Sequence, residues 1–144
     1  MKNPQEVFNE YLAEMNLKAT PQRRLILDTI IKQKAHLSSE ELYAKVKARD
    51  ASVGQATVYR TLKLLVEADL VEPLDFADGV TRYEISYGKE HHDHLICSVC
   101  GKNIEILDPT IEKRQEEIAK KHGFKLSSHK MYLYGICDDC RKGK

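Results

Sequence analysis

Four cysteines constrain this chain more than any other feature. They fall as two Cys-x-x-Cys pairs, Cys97 with Cys100 and Cys137 with Cys140, with residues 101–136 between them. The N-terminal run MKNPQEVFNEYLAEM scatters acids along its length and holds no apolar signal core, so the chain is expected to be cytosolic. In a reducing compartment, thiol pairs at this spacing favour metal over disulfide. Tetrahedral zinc takes four ligands, and each knuckle offers two thiolates from a turn whose backbone N–H groups face sulfur. The first knuckle, CSVCGK, carries the glycine that such a turn often needs. Four buried structural cysteines and two redox-active pairs are the other readings; neither pair opens a helix in a βαβ setting, which counts against redox chemistry. With all four ligands supplied by protein, the zinc site is closed and structural. It ties GICDDCRKGK, a segment almost without apolar content, to the strand beginning at Leu95.

Directly before the first pair stands HHDHLIC, where four further metal-binding side chains are consecutive: His91, His92, Asp93 and His94. Extended backbone sends successive side chains to opposite faces. His92 and His94 then share one face, and His91 and Asp93 share the other, so one strand can serve two sites. Imidazole with carboxylate suits Fe(II), Mn(II), Co(II) or Zn(II) without choosing among them. The competing reading is a solvated polar strand.

The first half of the chain is helical. A stripe of Val7, Phe8, Tyr11, Leu12 and Met15 marks one helix, and Thr20-Pro21 is a start signal for a second. Ser38-x-x-Glu41 is a capping box for a third, and Val58, Leu62, Leu65 and Val66 recur with helical period in a fourth, over residues 55–69. The period then changes: VEPLDF and VTRYEI flank Ala77-Asp78-Gly79, a hairpin signal. Three short helices followed by a hairpin outline a winged helix-turn-helix. SYGKE is a polar hinge at about 85–90, giving domains of 1–84 and 85–144. The second domain holds the ligand-rich strand, NIEIL, a helix capped at Asp108-Pro109 and running to about His122-Gly123, and FKLSSHKMYLYGIC. The fold class expected is α+β. No apolar run approaches the roughly 20 residues of a membrane span. A net charge of +1 means that any nucleic-acid surface must be a local patch.

Three segments, ATVYRTL, HHDHLICSVCGK and HKMYLYGICDDC, resemble the ferric uptake regulator (Fur) family of bacterial metal-responsive repressors, and IEKRQEEIAKKHGF is similar as well. The resemblance implies a homodimer with an N-terminal winged helix, a hinge and a C-terminal α/β dimerisation domain, with metal orienting two DNA-reading heads. It maps the family's regulatory site onto His36, Glu84, His92, His94 and Glu105, joining the two domains through one ion. It maps a third metal site onto His91, Asp93, Glu112 and His129. Peroxide-sensing members carry aspartate at the positions of Glu84 and Glu105; glutamate at both favours iron sensing, with zinc-, manganese- and peroxide-responsive regulators of the family as alternatives. The implied function is an Fe(II)-dependent repressor of iron uptake genes on A/T-rich palindromic operators.

On the fourth helix, Tyr59 offers a ring to thymine methyls and a hydroxyl to phosphate, and Arg60 can donate to a base or to phosphate. Gln55 and Thr57, near its N-terminus, reach base edges or backbone. Lys18, in LKAT, matches a position that family members insert into the minor groove. Arg23 and Arg24 read as phosphate contacts or solvated charges. The expected partners are double-stranded DNA and a second copy of the chain, with no membrane and no small-molecule substrate. A small metalloenzyme is the reading from another class; the absence of H-E-x-x-H, and the little room a 144-residue chain leaves for a substrate pocket, argue against it.

Overall fold

Asn3 opens the first helix: its side chain accepts from the Glu6 N–H at 2.9 Å, and Pro4 at the first helical position forfeits no bond. The computed structural model describes residues 2–33, 36–89 and 91–143. α1 (Pro4–Glu14) buries Phe8 and Leu12. Met15, expected on the same stripe, is 52% exposed because it caps the helix and Asn16 turns the chain away with φ of 59°. Thr20 Oγ1 accepts from the Arg23 N–H at 3.2 Å and starts α2 (Pro21–Gln33). The capping box of α3 (Ser39–Arg49) is complete, with Glu41 N–H to Ser38 Oγ at 3.1 Å and Ser38 N–H to Glu41 Oε1 at 2.9 Å. α4 (Gln55–Glu67) stops short of Asp69, whose φ of 59° cannot continue a helix.

β1 (Leu37–Ser38), β2 (Val71–Asp75) and β3 (Thr81–Ile85) form an antiparallel sheet in the order β1-β3-β2. The two-residue β1 has no periodicity to announce it and was not anticipated. β2 and β3 are the expected hairpin, but residues 76–80 connect them, a longer loop than a two-residue Asp-Gly turn. Its left-handed residues are Ala77 and Gly79, with φ of 62° and 80°, and Asp78 accepts from the Val80 N–H at 3.1 Å. Beneath this wing the four helices share one core around Phe8, Leu27, Leu42, Val58, Leu62 and Leu65, all essentially inaccessible.

The second domain is built on β4 (Asp93–Cys97), which pairs antiparallel with β5 (Asn103–Ile106) and parallel with β6 (Tyr132–Gly135). α5 (Pro109–Lys121) connects β5 to β6, which is the crossover a parallel pair requires. Asp108 caps it, accepting from the Thr110 and Ile111 N–H groups at 2.8 and 3.3 Å. A short α6 (Asp138–Arg141) ends the domain. The chain divides into the units Met1–Lys89 and Glu90–Lys144. That division falls within the 85–90 stretch read as a hinge, whose last residue, Glu90, lies outside the described residues.

Candidate metal centres and nucleic-acid interface

β4 ends at Cys97, and a tight turn brings Cys100 back beside it. Gly101, with φ of 79°, donates its N–H to Cys97 O at 2.9 Å, and the Cys100 N–H points at Cys97 Sγ at 3.5 Å. Parallel pairing of β4 with β6, Cys97 opposite Gly135, carries the second pair to the same place. The Cys137 N–H reaches Cys97 Sγ at 3.4 Å, and α6 presents Cys140 one turn later. Cys97 Sγ lies 3.8 Å from Cys140 Sγ, and Cys100 Sγ lies 3.8 Å from Cys137 Sγ. Tetrahedral zinc with Zn–S bonds of about 2.3 Å sets its sulfurs about 3.8 Å apart, so the four thiols fit such an ion. A disulfide needs sulfurs at about 2 Å, and all four cysteines are free. The backbone N–H groups of Cys100 and Cys137 pull the Cys97 thiol down to about 6. A hydrogen bond with the Cys137 thiol, with burial, pushes Cys140 up to about 12. Four thiolates this close repel one another, and a bound dication is what allows all four to be charged.

His91, Asp93, Glu112 and His129 form a second cluster inside the same domain, their ligand atoms within 4.8 Å of one another. His91 Nε2 stands 2.9 Å from His129 Nε2, and His129 Nε2 stands 3.1 Å from Glu112 Oε1. Asp93 is buried and accepts from the Met131 N–H at 3.1 Å, which aims its carboxylate; His91 Nε2 is 3.5 Å from it. Two imidazoles and two carboxylates converging in this way make a donor set suited to a first-row dication.

The other face of the strand carries His92 and His94, with ring centroids 4.9 Å apart. His92 itself precedes β4, which starts at Asp93 rather than His91. His92 Nε2 lies 3.5 Å from Glu105 Oε1, and the β4–β5 register sets His94 opposite Glu105. His94 is 2% exposed and its ring stacks on Tyr132. Asn103 Oδ1, an acceptor only, takes the proton of His94 Nδ1 at 3.1 Å. In the neutral ring that bond leaves the lone pair on Nε2, a buried atom with no hydrogen-bond partner among the described residues. An imidazole whose other nitrogen is held by a hydrogen bond, as Asn103 holds Nδ1 here, is the arrangement a metal ligand adopts.

In the N-terminal domain, His36 precedes β1 and packs its ring against Phe76 at 4.8 Å, and Glu84 lies on β3. β1 pairs Leu37 with Tyr83, so continuing that register by one residue sets His36 opposite Glu84. On the other side of Glu84, β2 contributes Glu72. Sequence reading passed over both Glu72 and Asn103, because cross-strand register, not spacing, makes them neighbours of the ligands.

α4 buries Val58, Thr61, Leu62 and Leu65 and turns Gln55, Tyr59 and Arg60 outward, with Thr57 half-buried. Tyr59 is 50% exposed, with Lys63 Nζ 5.8 Å from its ring centroid. Arg60 lines a cleft of about 400 Å³ with Thr57, Lys18 and Arg23. Lys18 is exposed on the α1–α2 connector and shares that cleft with Thr57 and Arg60, while Gln55 and Tyr59 do not line it.

A helix-turn-helix with a wing, a four-cysteine centre and two histidine-carboxylate faces on one strand together describe a recognisable architecture. The Ferric uptake regulator family matches this chain over residues 14–134. The chain belongs to that family. It is similar to the ferric uptake regulation protein of Campylobacter jejuni, 47% identical over 141 residues that span 96% of this chain and 89% of that protein. Among solved structures it resembles the Helicobacter pylori ferric uptake regulator, in which three functional metal binding sites were described. That match has 34% identity and a TM-score of 0.83 over 97% of this chain and 95% of that one. It also resembles the Francisella tularensis ferric uptake regulator with iron, at 35% identity and a TM-score of 0.76 over 87% of this chain and 95% of that one. As a ferric uptake regulator family member the chain is a metal-dependent, DNA-binding transcription regulator and not an enzyme. Proteins of this family are generally dimeric. None of its described helices is long and apolar enough to cross a membrane.

Proposed function

We propose that this protein is an Fe(II)-sensing repressor of iron uptake genes, acting in the cytoplasm as a homodimer on A/T-rich palindromic DNA. The observation that carries the reading is His94 Nε2, a buried atom without a hydrogen-bond partner among the described residues, on the strand that His92 directly precedes and opposite a strand carrying Glu105. In this assignment His36 and Glu84 of the N-terminal domain complete the regulatory set. Cys97, Cys100, Cys137 and Cys140 hold structural zinc, and His91, Asp93, Glu112 and His129 take a third ion. Glutamate at positions 84 and 105 supports iron over peroxide sensing. Lys18, Gln55, Thr57, Tyr59 and Arg60 meet the DNA.

When bound, the regulatory ion supplies positive charge and directional bonds to its ligands. His36 and Glu84 on one side of the hinge, and His92, His94 and Glu105 on the other, would hold the ion, and holding it would narrow the spread of recognition-helix spacings. Few spacings match two half-sites on one face of DNA, so repression follows occupancy. Linkage requires DNA to tighten metal binding by the same factor. A second copy of the chain is supported by an apolar row in register across the sheet: Ile104, Leu95 and Leu133, 43%, 39% and 44% exposed.

The test is fluorescence anisotropy on palindromic DNA with and without Fe(II), or Mn(II) as an air-stable substitute, for wild type, His92→Ala and His94→Ala. Both variants should lose metal stimulation while keeping cysteine-bound zinc and dimer mass. Equal stimulation in all three proteins overturns the assignment of this strand face. Stimulation by Zn(II) but not by Fe(II) replaces iron as the effector.

A further inference from the structure

We infer that Arg23 is a positioning residue for Lys18: its guanidinium, by holding the Lys18 carbonyl, sets where that lysine enters DNA. The inference rests on the reading that Lys18 is a DNA contact.

The connector between α1 and α2 is pinned at each end by helix capping. On the α1 side, Asn16 adopts φ of 59° and the Leu17 N–H returns to Leu12 O at 2.8 Å, the closing bond of a left-handed helix end. On the α2 side, Thr20 caps the helix through the Arg23 N–H, and the Arg24 N–H reaches Thr20 O at 3.1 Å. Between these anchors only Lys18 and Ala19 remain. The Arg23 side chain, in the first turn of α2, folds back and donates from Nη1 to Lys18 O at 2.7 Å. The Lys18–Ala19 peptide still turns through ψ of Lys18 and φ of Ala19, and those two angles set how the Lys18 Cα–Cβ bond is oriented relative to α2. A charge-assisted bond to the carbonyl removes the freedom.

The consequence lies in the distance between two DNA-reading elements. Lys18 and Arg60 border one cleft of about 400 Å³, with Arg23 and Thr57 also on its walls. Fixing the Lys18 backbone therefore fixes the step from α4, the recognition helix, to the lysine. A lysine directed at a narrow minor groove gains when its backbone is already set, since a connector that must be ordered on binding gives up backbone conformational entropy. Arg23 is half-buried, and at least one of its N–H groups is engaged within the protein. It acts through Lys18 and not as an independent phosphate contact.

The experiment is a double-mutant cycle in the full-length, zinc-loaded, Mn(II)-supplied protein with Lys18→Ala, Arg23→Ala and the pair. DNA affinity is measured across salt concentrations, on an A/T-rich palindrome and on a duplex whose flanking A·T steps are replaced by G·C. Each single variant should bind the A/T-rich duplex about tenfold more weakly, lose the A/T preference, and lower the log–log salt slope by about 0.9 per protomer. The double variant should match the singles within about twofold. A domain merely loosened by the Arg23 substitution weakens both duplexes alike and lowers the thermal midpoint, which overturns the inference. Should Arg23→Ala aggregate, Arg23→Met keeps the stem and removes the donors, and carries the same comparison. Additive losses, with the slope of the double variant falling by about 1.8 per protomer, make Arg23 its own phosphate contact and overturn the proposal. Unchanged DNA binding in Arg23→Ala beside a loss in Lys18→Ala does the same. Unchanged binding in Lys18→Ala removes the reading of Lys18 itself, and with it this one.

Discussion

The two halves of this chain are held together by different physics. Residues 1–89 bury a continuous aliphatic core, from Phe8 through Leu70 and Val71, beneath four helices and a wing. In residues 90–144 the buried hydrophobic residues among those described are Ile96, Cys97 and Ala119, while Leu95, Ile104, Leu107, Ile118, Leu133 and Ile136 face outward. Fully burying a leucine is worth about 1.5–3 kcal/mol, so the first half stabilises itself and the second does not. Domains that small usually rely on a metal or a partner. The four thiols within 4.8 Å of one another and the apolar row on the open sheet face offer both. On the function proposed, the arrangement separates duties: a self-sufficient head to read DNA, and a domain ordered by ions and by a second copy to respond to metal.

Removing the zinc ligand breaks that comparison most severely. Structural zinc contributes an apparent ~10–16 kcal/mol, more than a domain of this size has to spare. In Cys137→Ser, amide NMR signals from residues 90–144 should collapse while those of the four helices persist. A variant that retains zinc and both sets of signals ends the assignment.

The mirror experiment strikes the aliphatic core. Leu62→Ala should cost the N-terminal domain about 2–5 kcal/mol, read from its own denaturation transition, with zinc content unchanged. A loss of zinc in this variant would show that the halves are not independent.

Next in size is the open face of the sheet. Leu95→Ser, at the centre of the Ile104–Leu95–Leu133 row, should weaken self-association by about 1–3 kcal/mol, measured by sedimentation equilibrium at micromolar concentration. Unchanged mass across dilution moves the dimer interface elsewhere.

Electrostatics in the helical half gives the smallest effect. Arg49, and then Lys32, hold the Asp28 carboxyl below its ordinary value of 3.8. A depressed folded value means the stabilisation is fully present above the unfolded value of about 4 and is lost as pH falls through the lower folded one. All partners are more than a third exposed, so solvent screening limits the contribution to less than about 1 kcal/mol. Asp28→Asn should lower the thermal midpoint slightly at pH 7 and not at all near pH 2. An equal shift at both pH values would assign the effect to packing.

Local signals in the chain decided more of this architecture than usual. Thr20-Pro21, Ser38-x-x-Glu41 and Asp108-Pro109 each start a helix where they stand, because a cap is satisfied within three or four residues and needs nothing distant. The two Cys-x-x-Cys pairs and the alternation through His91–His94 were likewise readable, since turn geometry and strand pleat are local properties. What spacing cannot encode is who stands opposite whom. Asn103 beside His94, Glu72 beside Glu84, the short β1 that sets His36 in register with Glu84, and Arg23 folded back on Lys18 all depend on strand pairing or on a side chain crossing a turn. Those relations arise only when the chain closes on itself, and they turn a collection of candidate ligands and cations into aimed ones.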